Sequence, residues 1–227
     1  MIINSLTKVR KKLYLKDPEE TELGQKIISH SIILIDEVGF DIFNFKKLAS
    51  EIKSTEASIY RYFENKHKLL FYLINWYWSW IKSRIDHQIY HVKNPRDKIK
   101  IIIKVICGAI QNDPDTQYVD ESRLSRIVLT ESTKAYTTKH VEEDYRDGLF
   151  EAYKEVCTRI SDILQAINPD FPNPRALAVT IIRTAYKQLY FGLHLPELTD
   201  LHINESNTSE IEDFIELIVF ATLEHKK

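Results

Sequence analysis

The chain has 227 residues, 44% of them hydrophobic, with a net charge of −2 and only five glycines and seven prolines. This composition excludes a disordered or collagen-like chain and favours an ordered, helix-rich protein with a sizeable core. The net charge gives no overall nucleic-acid signature, although Lys and Arg exceed acidic residues in the first 82 positions and the reverse holds afterwards. No apolar run approaches the ~18 residues of a membrane span and no signal peptide opens the chain, so we expect a soluble cytoplasmic protein.

Helix signals follow one another along the chain, and no segment alternates with the period of two that strands require. The sequence therefore predicts an all-α fold of about nine helices. Asp17-Pro18 is a helix start and Gly39 a helix stop, so the first helix is expected between them. Residues 132–139 are expected to be a loop, and Cys107 and Cys157 to be free buried thiols. The remaining helices are expected at 44–52, 55–63, 66–90, 94–112, 121–131, 140–167, 173–195 and 209–224.

The most informative segment is the pair of short helices after Gly39. Asn44 is placed to cap the first helix, whose apolar side is Phe45, Leu48, Ala49 and Ile52. Lys53-Ser54-Thr55 forms the turn, and Thr55 is placed to cap the second helix. Two short helices joined by such a turn are the geometry that lays a second helix into a DNA major groove. The second helix buries Ile59, Phe63 and part of Tyr62, and it leaves outward Glu56, Ala57, Ser58, Tyr60 and Arg61.

This segment resembles the TetR family of bacterial transcriptional regulators. The resemblance is carried by Leu48-Ala49, the run Ile59-Tyr60-Arg61-Tyr62-Phe63, Asn65-Lys66 and Leu69-Leu70, and it covers roughly residues 24–75. It implies an N-terminal helix-turn-helix DNA-binding domain over residues 1–70. It also implies a C-terminal helical domain over residues 71–227 that binds an effector and dimerises.

The resemblance implies roles for individual residues in DNA binding. Tyr60 and Lys66 correspond to phosphate contacts, and Lys66 also opens the next helix, whose free amides can hold an anion. Asn44 and Lys46 lie where the family touches the DNA backbone or a base edge. The complete set of predicted DNA-binding residues is Asn44, Lys46, Thr55, Glu56, Ala57, Ser58, Tyr60, Arg61 and Lys66.

Three features leave alternatives open. Lys53 stands where the family often has glycine, so the turn either tolerates a side chain or takes another shape. Glu56 either accepts a bond from a cytosine amino group or points away from the groove and caps its helix. The basic residues of the N-terminal segment either contact phosphates or the minor groove, or form a solvated terminus; they are Lys8, Arg10, Lys11, Lys12 and Lys16.

The C-terminal part offers candidates for effector binding and dimerisation. Aromatic residues either pack in the core or line an effector cavity, and the candidates for the cavity are Trp76, Trp80, Tyr145, Tyr153, Tyr186 and Tyr190. The resemblance implies that the last two long helices of two subunits form a four-helix bundle. Small residues compatible with close approach are Ala178, Thr184, Ala185, Gly192 and Ala221, and an apolar face is predicted from Ile211, Ile215 and Ile218.

The function implied is a ligand-responsive repressor that binds double-stranded palindromic operator DNA as a homodimer, with a small-molecule effector and no cofactor. One alternative is a dimeric helical interaction protein that has lost sequence-specific DNA binding. A second alternative is a helical metalloenzyme, because His87 and His91 are four residues apart with Asp86 beside them. Solvated surface histidines are the simpler explanation of that spacing, and we expect neither a metal site nor enzymatic activity.

Overall fold

A computed structural model describes residues 13–108, 118–136, 139–204 and 207–224. Within these ranges the chain forms ten α-helices and no strand, apart from an isolated bridge between Asn204 and Asn207. The predicted all-α class is confirmed. The helices are α1 Glu22–Ile42, α2 Phe45–Glu51, α3 Glu56–Tyr60, α4 Lys66–Ile89, α5 Pro95–Cys107, α6 Glu121–Tyr136, α7 Val141–Arg146, α8 Glu151–Ile167, α9 Pro174–His194 and α10 Ser209–Glu224. None of these helices is both long and apolar enough to cross a membrane.

The chain divides into two compact units. The first contains Met1–Ser79 and Ile110–Ala152, and the second contains Trp80–Ala109 and Tyr153–Lys227. Helix α4 runs from the first unit into the second. This division places α6 and α7 in the first unit, and the functional boundary expected at residue 70 stays a prediction.

The core of the first unit is built on α1 and closed by the short helices. Buried isoleucines recur on α1 with helical spacing, at Ile28, Ile32 and Ile35. Leu48 of α2 and Ile59 of α3 are also buried. The apolar side chains that sequence periodicity placed inward in this segment are therefore inside, and they hold the two short helices together without using their outer faces.

The first helix begins later than the sequence indicated. Asp17 caps only a 3₁₀ turn, Pro18–Glu20, and Thr21 is extended with φ −141°. Because Thr21 interrupts the helical path, α1 starts at Glu22, and the Thr21 hydroxyl accepts a hydrogen bond from Gly24 N at 3.1 Å. The 3₁₀ turn lies so close that a Cβ on Gly24 would be 2.2 Å from Pro18 O.

Gly39 has the positive φ that was predicted for it, +77°. The chain turns there and regains helical hydrogen bonding up to Ile42, so α1 is interrupted at Gly39 and not ended by it. Phe43 N donates to Gly39 O at 3.1 Å and closes this last turn. We call residues 39–43 the junction, because they lead from α1 into α2.

Two predicted boundaries further along are wrong. Helix α6 continues to Tyr136, where a loop was expected from residue 132. The predicted helix over 140–167 is two helices, because Gly148 takes a left-handed φ of +77° between α7 and α8. Asn75 of α4 holds the turn after Gly148, since its Nδ2 donates to Leu149 O at 2.6 Å.

In the second unit, several residues of α9 and α10 that were predicted to face a second subunit are buried within the chain. Ile211 and Ile215 of α10 are buried inside the chain itself, where α10 packs against α5 and α9. Ala178 and Ala185 are buried as well, and Gly192 lies against Ile203. The buried side chains among these residues therefore pack within the unit, and the predicted four-helix bundle stays a prediction. Of the residues proposed for dimer contacts, those still accessible are Thr184, Gly192, Ile218 and Ala221.

The two thiols of this unit should be nearly unreactive in the native protein. Desolvation raises the pKa of Cys107 far above its usual range and the pKa of Cys157 to about 11. Because the thiolate is the reactive species, we expect native labelling by a disulfide reagent at pH 8 to be slower than labelling of the unfolded chain by more than about 100-fold. Comparing absorbance time courses with and without guanidinium checks this; rapid native labelling would contradict it.

Candidate nucleic-acid interface

The helix-turn-helix is built by the two caps that the sequence predicted. Asn44 Oδ1 accepts from Lys47 N at 2.9 Å and fixes the start of α2. Thr55 Oγ1 accepts from Ser58 N at 3.2 Å and fixes the start of α3. Helix α3 ends at Tyr60 and not at Phe63, although Phe63 is fully buried as expected.

The turn between α2 and α3 accommodates the side chain of Lys53, which stands where the family often has glycine. Lys53 adopts φ +53°, the left-handed conformation for which glycine is better suited. Ser54 N donates to Ala49 O at 2.8 Å and completes the turn. The turn thus keeps the shape that a glycine would give, at a conformational cost of about 1–2 kcal/mol, and the lysine side chain is exposed.

The predicted reading face of α3 is accessible. Thr55, Glu56, Ala57 and Arg61 are exposed, and Ser58 is half-buried. Tyr60 is 48% exposed, and its ring packs edge-on against Phe45 with centroids 5.0 Å apart. On α2, Asn44 and Lys46 are exposed beside this face. Every predicted residue of the two short helices therefore lies at the surface of the first unit.

Charge on this surface is mixed and not strongly basic. Exposed Lys46, Lys47, Lys53 and Arg61 are interleaved with exposed Glu51, Glu56 and Glu64. Both interpretations of Glu56 remain open, because its side chain lies at the surface at the first position of α3.

Tyr62 anchors the segment before α1. We call residues 13–21 the strap; its Leu15 N donates to Tyr62 O at 2.7 Å, and its Thr21 Oγ1 lies 2.7 Å from the Tyr62 hydroxyl. Tyr62 is buried more completely than predicted, because the strap covers it. The exposed Lys16 places its ammonium 5.3 Å from the Tyr62 ring centroid. The other predicted basic residues, Lys8 to Lys12, lie outside the described residues.

Lys66 is placed differently from the other predicted contacts. Its ammonium donates to three carbonyl oxygens of the junction: Phe40 O at 3.0 Å, Asp41 O at 3.2 Å and Phe43 O at 3.0 Å. It also lies 4.7 Å from the centroid of the Phe40 ring. An ammonium has three donors, so these bonds use its full capacity. This arrangement gives no support to the predicted phosphate contact by Lys66.

Sequence reasoning missed an ion-pair network between α1 and α6. Arg126 binds the Asp36 carboxylate with two bonds, Nε to Oδ1 at 2.9 Å and Nη2 to Oδ2 at 2.7 Å. Arg123 joins the same carboxylate at 3.2 Å and reaches Glu37 at 3.4 Å. The partners are about 90 residues apart, so no local spacing could have revealed them.

The same helix also contacts the junction. Lys134 pairs with Asp41 at 2.6 Å and with Glu131 at 2.8 Å. Glu131 Oε1 accepts from Phe40 N at 3.4 Å. The hydrogen bond from Lys134 lowers the pKa of Asp41 and correspondingly raises the pKa of Lys134. Helix α6 therefore bonds to residues of α1 both before and after Gly39.

The candidate effector-binding residues divide between the units. Half-buried Trp76 and exposed Tyr145 belong to the first unit. Trp80 belongs to the second unit, where it is buried and carries the Arg84 guanidinium 4.8 Å from its ring centroid. The other three candidates are half-buried in the second unit: Tyr153, Tyr186 and Tyr190. The assignment of all six residues to an effector site stays a prediction.

One of the three residues considered for a metal site, Asp86, has another role. The Asp86 carboxylate pairs with Lys82 at 2.9 Å and with Arg159 at 3.0 Å. Over those same residues, no group of three or more His, Cys, Asp or Glu side chains is arranged to hold a metal ion.

Comparison with known proteins places the helix-turn-helix in a family. Residues 27–73 match the family described as "Bacterial regulatory proteins, tetR family", which confirms the resemblance carried by the sequence motif. This matched segment contains α2, the turn, α3 and the start of α4. No curated protein matches the chain at a significant level.

Solved structures match the fold over most of the chain. AibR in complex with isovaleryl coenzyme A and operator DNA has a TM-score of 0.60 at 14% identity, covering 86% of this chain and 96% of AibR. FadR from Bacillus subtilis in complex with stearoyl-CoA has a TM-score of 0.63 at 15% identity, covering 89% and 98%. The superantigen PfiT has a TM-score of 0.62 at 11% identity, covering 93% and 100%. At these identities the likeness establishes the fold alone.

Proposed function

We propose that this chain is a DNA-binding transcriptional regulator, acting as a repressor, that binds a palindromic operator as a homodimer and responds to a small-molecule effector. The observation that carries the proposal is the accessible outer face of α3 on a completely capped helix-turn-helix. The match of residues 27–73 to bacterial regulators supports the same conclusion. We propose no enzymatic activity and no cofactor.

In this proposal most of the affinity comes from phosphates, and a few side chains of α3 contact base edges. The first turn of α3, residues 55–58, would face the major groove. Tyr60 and Arg61 at the other end of α3, and Lys46 on α2, would contact the flanking backbone. Asn44 would act mainly through its cap, which sets the direction of α2.

Removing a phosphate contact should change the salt dependence of DNA binding. We expect Lys46→Ala to weaken binding to the DNA flanking the chain's own gene and to flatten the slope of log K against log salt by about 0.9. Lys26→Ala is the matched control, because Lys26 is an exposed lysine on α1. Fluorescence anisotropy at several salt concentrations measures both slopes. An unchanged slope in Lys46→Ala would remove Lys46 from the interface.

The proposed homodimer uses the outer face of α10. Leu217 is 68% exposed. Phe214 lies three residues before it and Ala221 four residues after it, and Ile218 is four residues from Phe214 and three from Ala221; these three side chains are half-buried or exposed. A twofold axis beside this face would pack it against its own copy and hide the exposed leucine. Two helix-turn-helix units would then be available for one palindromic operator.

Placing a charge on this face should separate the subunits. We expect Leu217→Glu to shift sedimentation from dimer towards monomer, because an unpaired carboxylate would be buried at the interface. Leu198→Glu is the matched control, because Leu198 is similarly exposed but lies outside both helices. A dimer that persists in Leu217→Glu, or dissociation in both variants, would contradict this interface.

The effector can act only if it binds the DNA-competent and DNA-incompetent forms with different affinities. Acyl-coenzyme A thioesters are the first class to test, because AibR and FadR are similar structures that hold such ligands. We expect a binding thioester to raise the unfolding temperature and to weaken DNA binding in the same concentration range. Stabilisation without an effect on DNA binding would argue against an effector role.

The alternative is a dimeric interaction protein without sequence-specific DNA binding. Glu56 on the presumed reading face favours it, and the fold alone allows it, since one similar structure is described as a superantigen. A gel-shift with the flanking DNA and an unrelated competitor separates the two proposals. Failure to bind either DNA at low salt would favour the interaction protein.

A further inference from the structure

We propose that Lys66 is a positioning residue of the helix-turn-helix and does not contact DNA. Its ammonium bonds to three carbonyls of the junction, at distances of 3.0 to 3.2 Å. Carbonyl oxygens at the end of a helix carry partial negative charge, which a lysine ammonium stabilises. This inference rests on the proposed DNA binding for its functional consequence, but the contact itself lies wholly inside the first unit.

The bonded carbonyls explain why this contact would set the orientation of α2. Phe43 O belongs to the peptide group that precedes Asn44, the cap of α2. Phe40 O and Asp41 O belong to the turn after Gly39, whose φ is positive. Lys66 is the first residue of α4, so one side chain joins the end of α1, the start of α2 and the start of α4.

The surroundings of the ammonium favour a permanent contact. The Phe40 ring lies against it, with its centroid 4.7 Å away, and Phe40 and Phe43 are both buried. Reaching a phosphate would require Lys66 to give up its bonds to all three carbonyls. Lys46 differs, because its side chain is exposed at the first turn of α2.

Hydrogen exchange in the DNA-free protein tests the proposal. We expect Lys66→Met to accelerate exchange of the amides of residues 40–48 by at least about tenfold, the equivalent of one lost charge-assisted hydrogen bond. Lys46→Met is the matched control and should leave this exchange unchanged. Lys66→Arg should restore part of the protection, because it keeps the charge and donors but replaces a compact ammonium with a planar fork.

DNA titration of the same variants completes the test. We expect Lys66→Met to weaken binding by about tenfold or more with a salt slope near that of the wild type, whereas Lys46→Met flattens the slope. Wild-type exchange in Lys66→Met together with a slope flattened by about one unit would overturn the proposal. If the wild type binds no DNA, the proposed function fails, while the exchange comparison still decides whether Lys66 holds the junction. Should Lys66→Met not fold, Lys66→Gln supplies both measurements, because it removes the charge but keeps a hydrogen-bond donor.

Discussion

Replacing Asp36 with alanine is expected to lower the free energy of unfolding by about 2–3 kcal/mol. The Asp36 side chain is only 12% exposed and accepts bonds from both Arg123 and Arg126. Its loss leaves two guanidinium groups at the α1–α6 contact without their main partner. Both arginines keep some access to water, so the cost should stay below that of a fully buried broken pair.

Glu37→Ala is the matched control for this prediction. Glu37 is the next residue, but its side chain is 53% exposed and makes a single contact at 3.4 Å with Arg123. Exposed pairs of this kind contribute little, so we expect a change within about 0.5 kcal/mol. Urea unfolding followed by circular dichroism measures both variants. Equal effects of the two substitutions would show that the network does not stabilise the α1–α6 contact.

Gly24→Ala should destabilise the first unit, even though alanine is the better helix former. The new Cβ would lie 2.2 Å from Pro18 O and 2.5 Å from Pro18 Cα, and backbone atoms cannot rotate away. Overpacking of this kind costs about 1–3 kcal/mol, which outweighs the gain of up to about 1 kcal/mol in helix propensity. We therefore expect a net loss of about 1–2 kcal/mol and displacement of the strap from α1.

Gly192→Ala tests whether an added Cβ costs less stability when it meets a side chain than when it meets backbone atoms. A Cβ there would lie 2.5 Å from Ile203 Cδ1 and 2.6 Å from Ile203 Cβ, which are atoms of a side chain and not of the backbone. A rotamer change moves Cδ1 but not Cβ, so residue 203 must itself shift, and we expect a loss of about 1 kcal/mol, at the low end of the range for overpacking. Thermal unfolding of both variants decides the comparison. A stable Gly24→Ala protein with an unchanged strap would contradict the close packing of the strap on α1.

The sequence predicted the helix-turn-helix because its signals are local. Asn44 and Thr55 each cap a helix that begins at the following residue, and the buried Ile59 and Phe63 are four residues apart, as helical spacing requires. Local signals also misled. Asp17 and Pro18 look like the start of a long helix but form a 3₁₀ turn, and Gly148 did not stand out among polar neighbours although it ends α7.

What the sequence could not provide were the contacts between distant segments. The bonds from Lys66 to the junction and from α6 to Asp36 join residues 23 to 90 positions apart. Helix α10 shows a related difficulty, because it is apolar on more than one side. Its periodicity alone does not say whether Ile215 or Leu217 faces inward; packing against α5 and α9 buries Ile215.

The route of the chain through its two units has a consequence for biosynthesis. The first unit takes its last residues from Ile110–Ala152, including the arginines that bind Asp36. A nascent polypeptide emerging from the ribosome at about 5–20 residues per second must therefore wait several seconds after α1 appears before that helix meets α6. During this interval the helix-turn-helix is exposed without the ion pairs between α1 and α6, so early termination before residue 120 should yield a product sensitive to proteases.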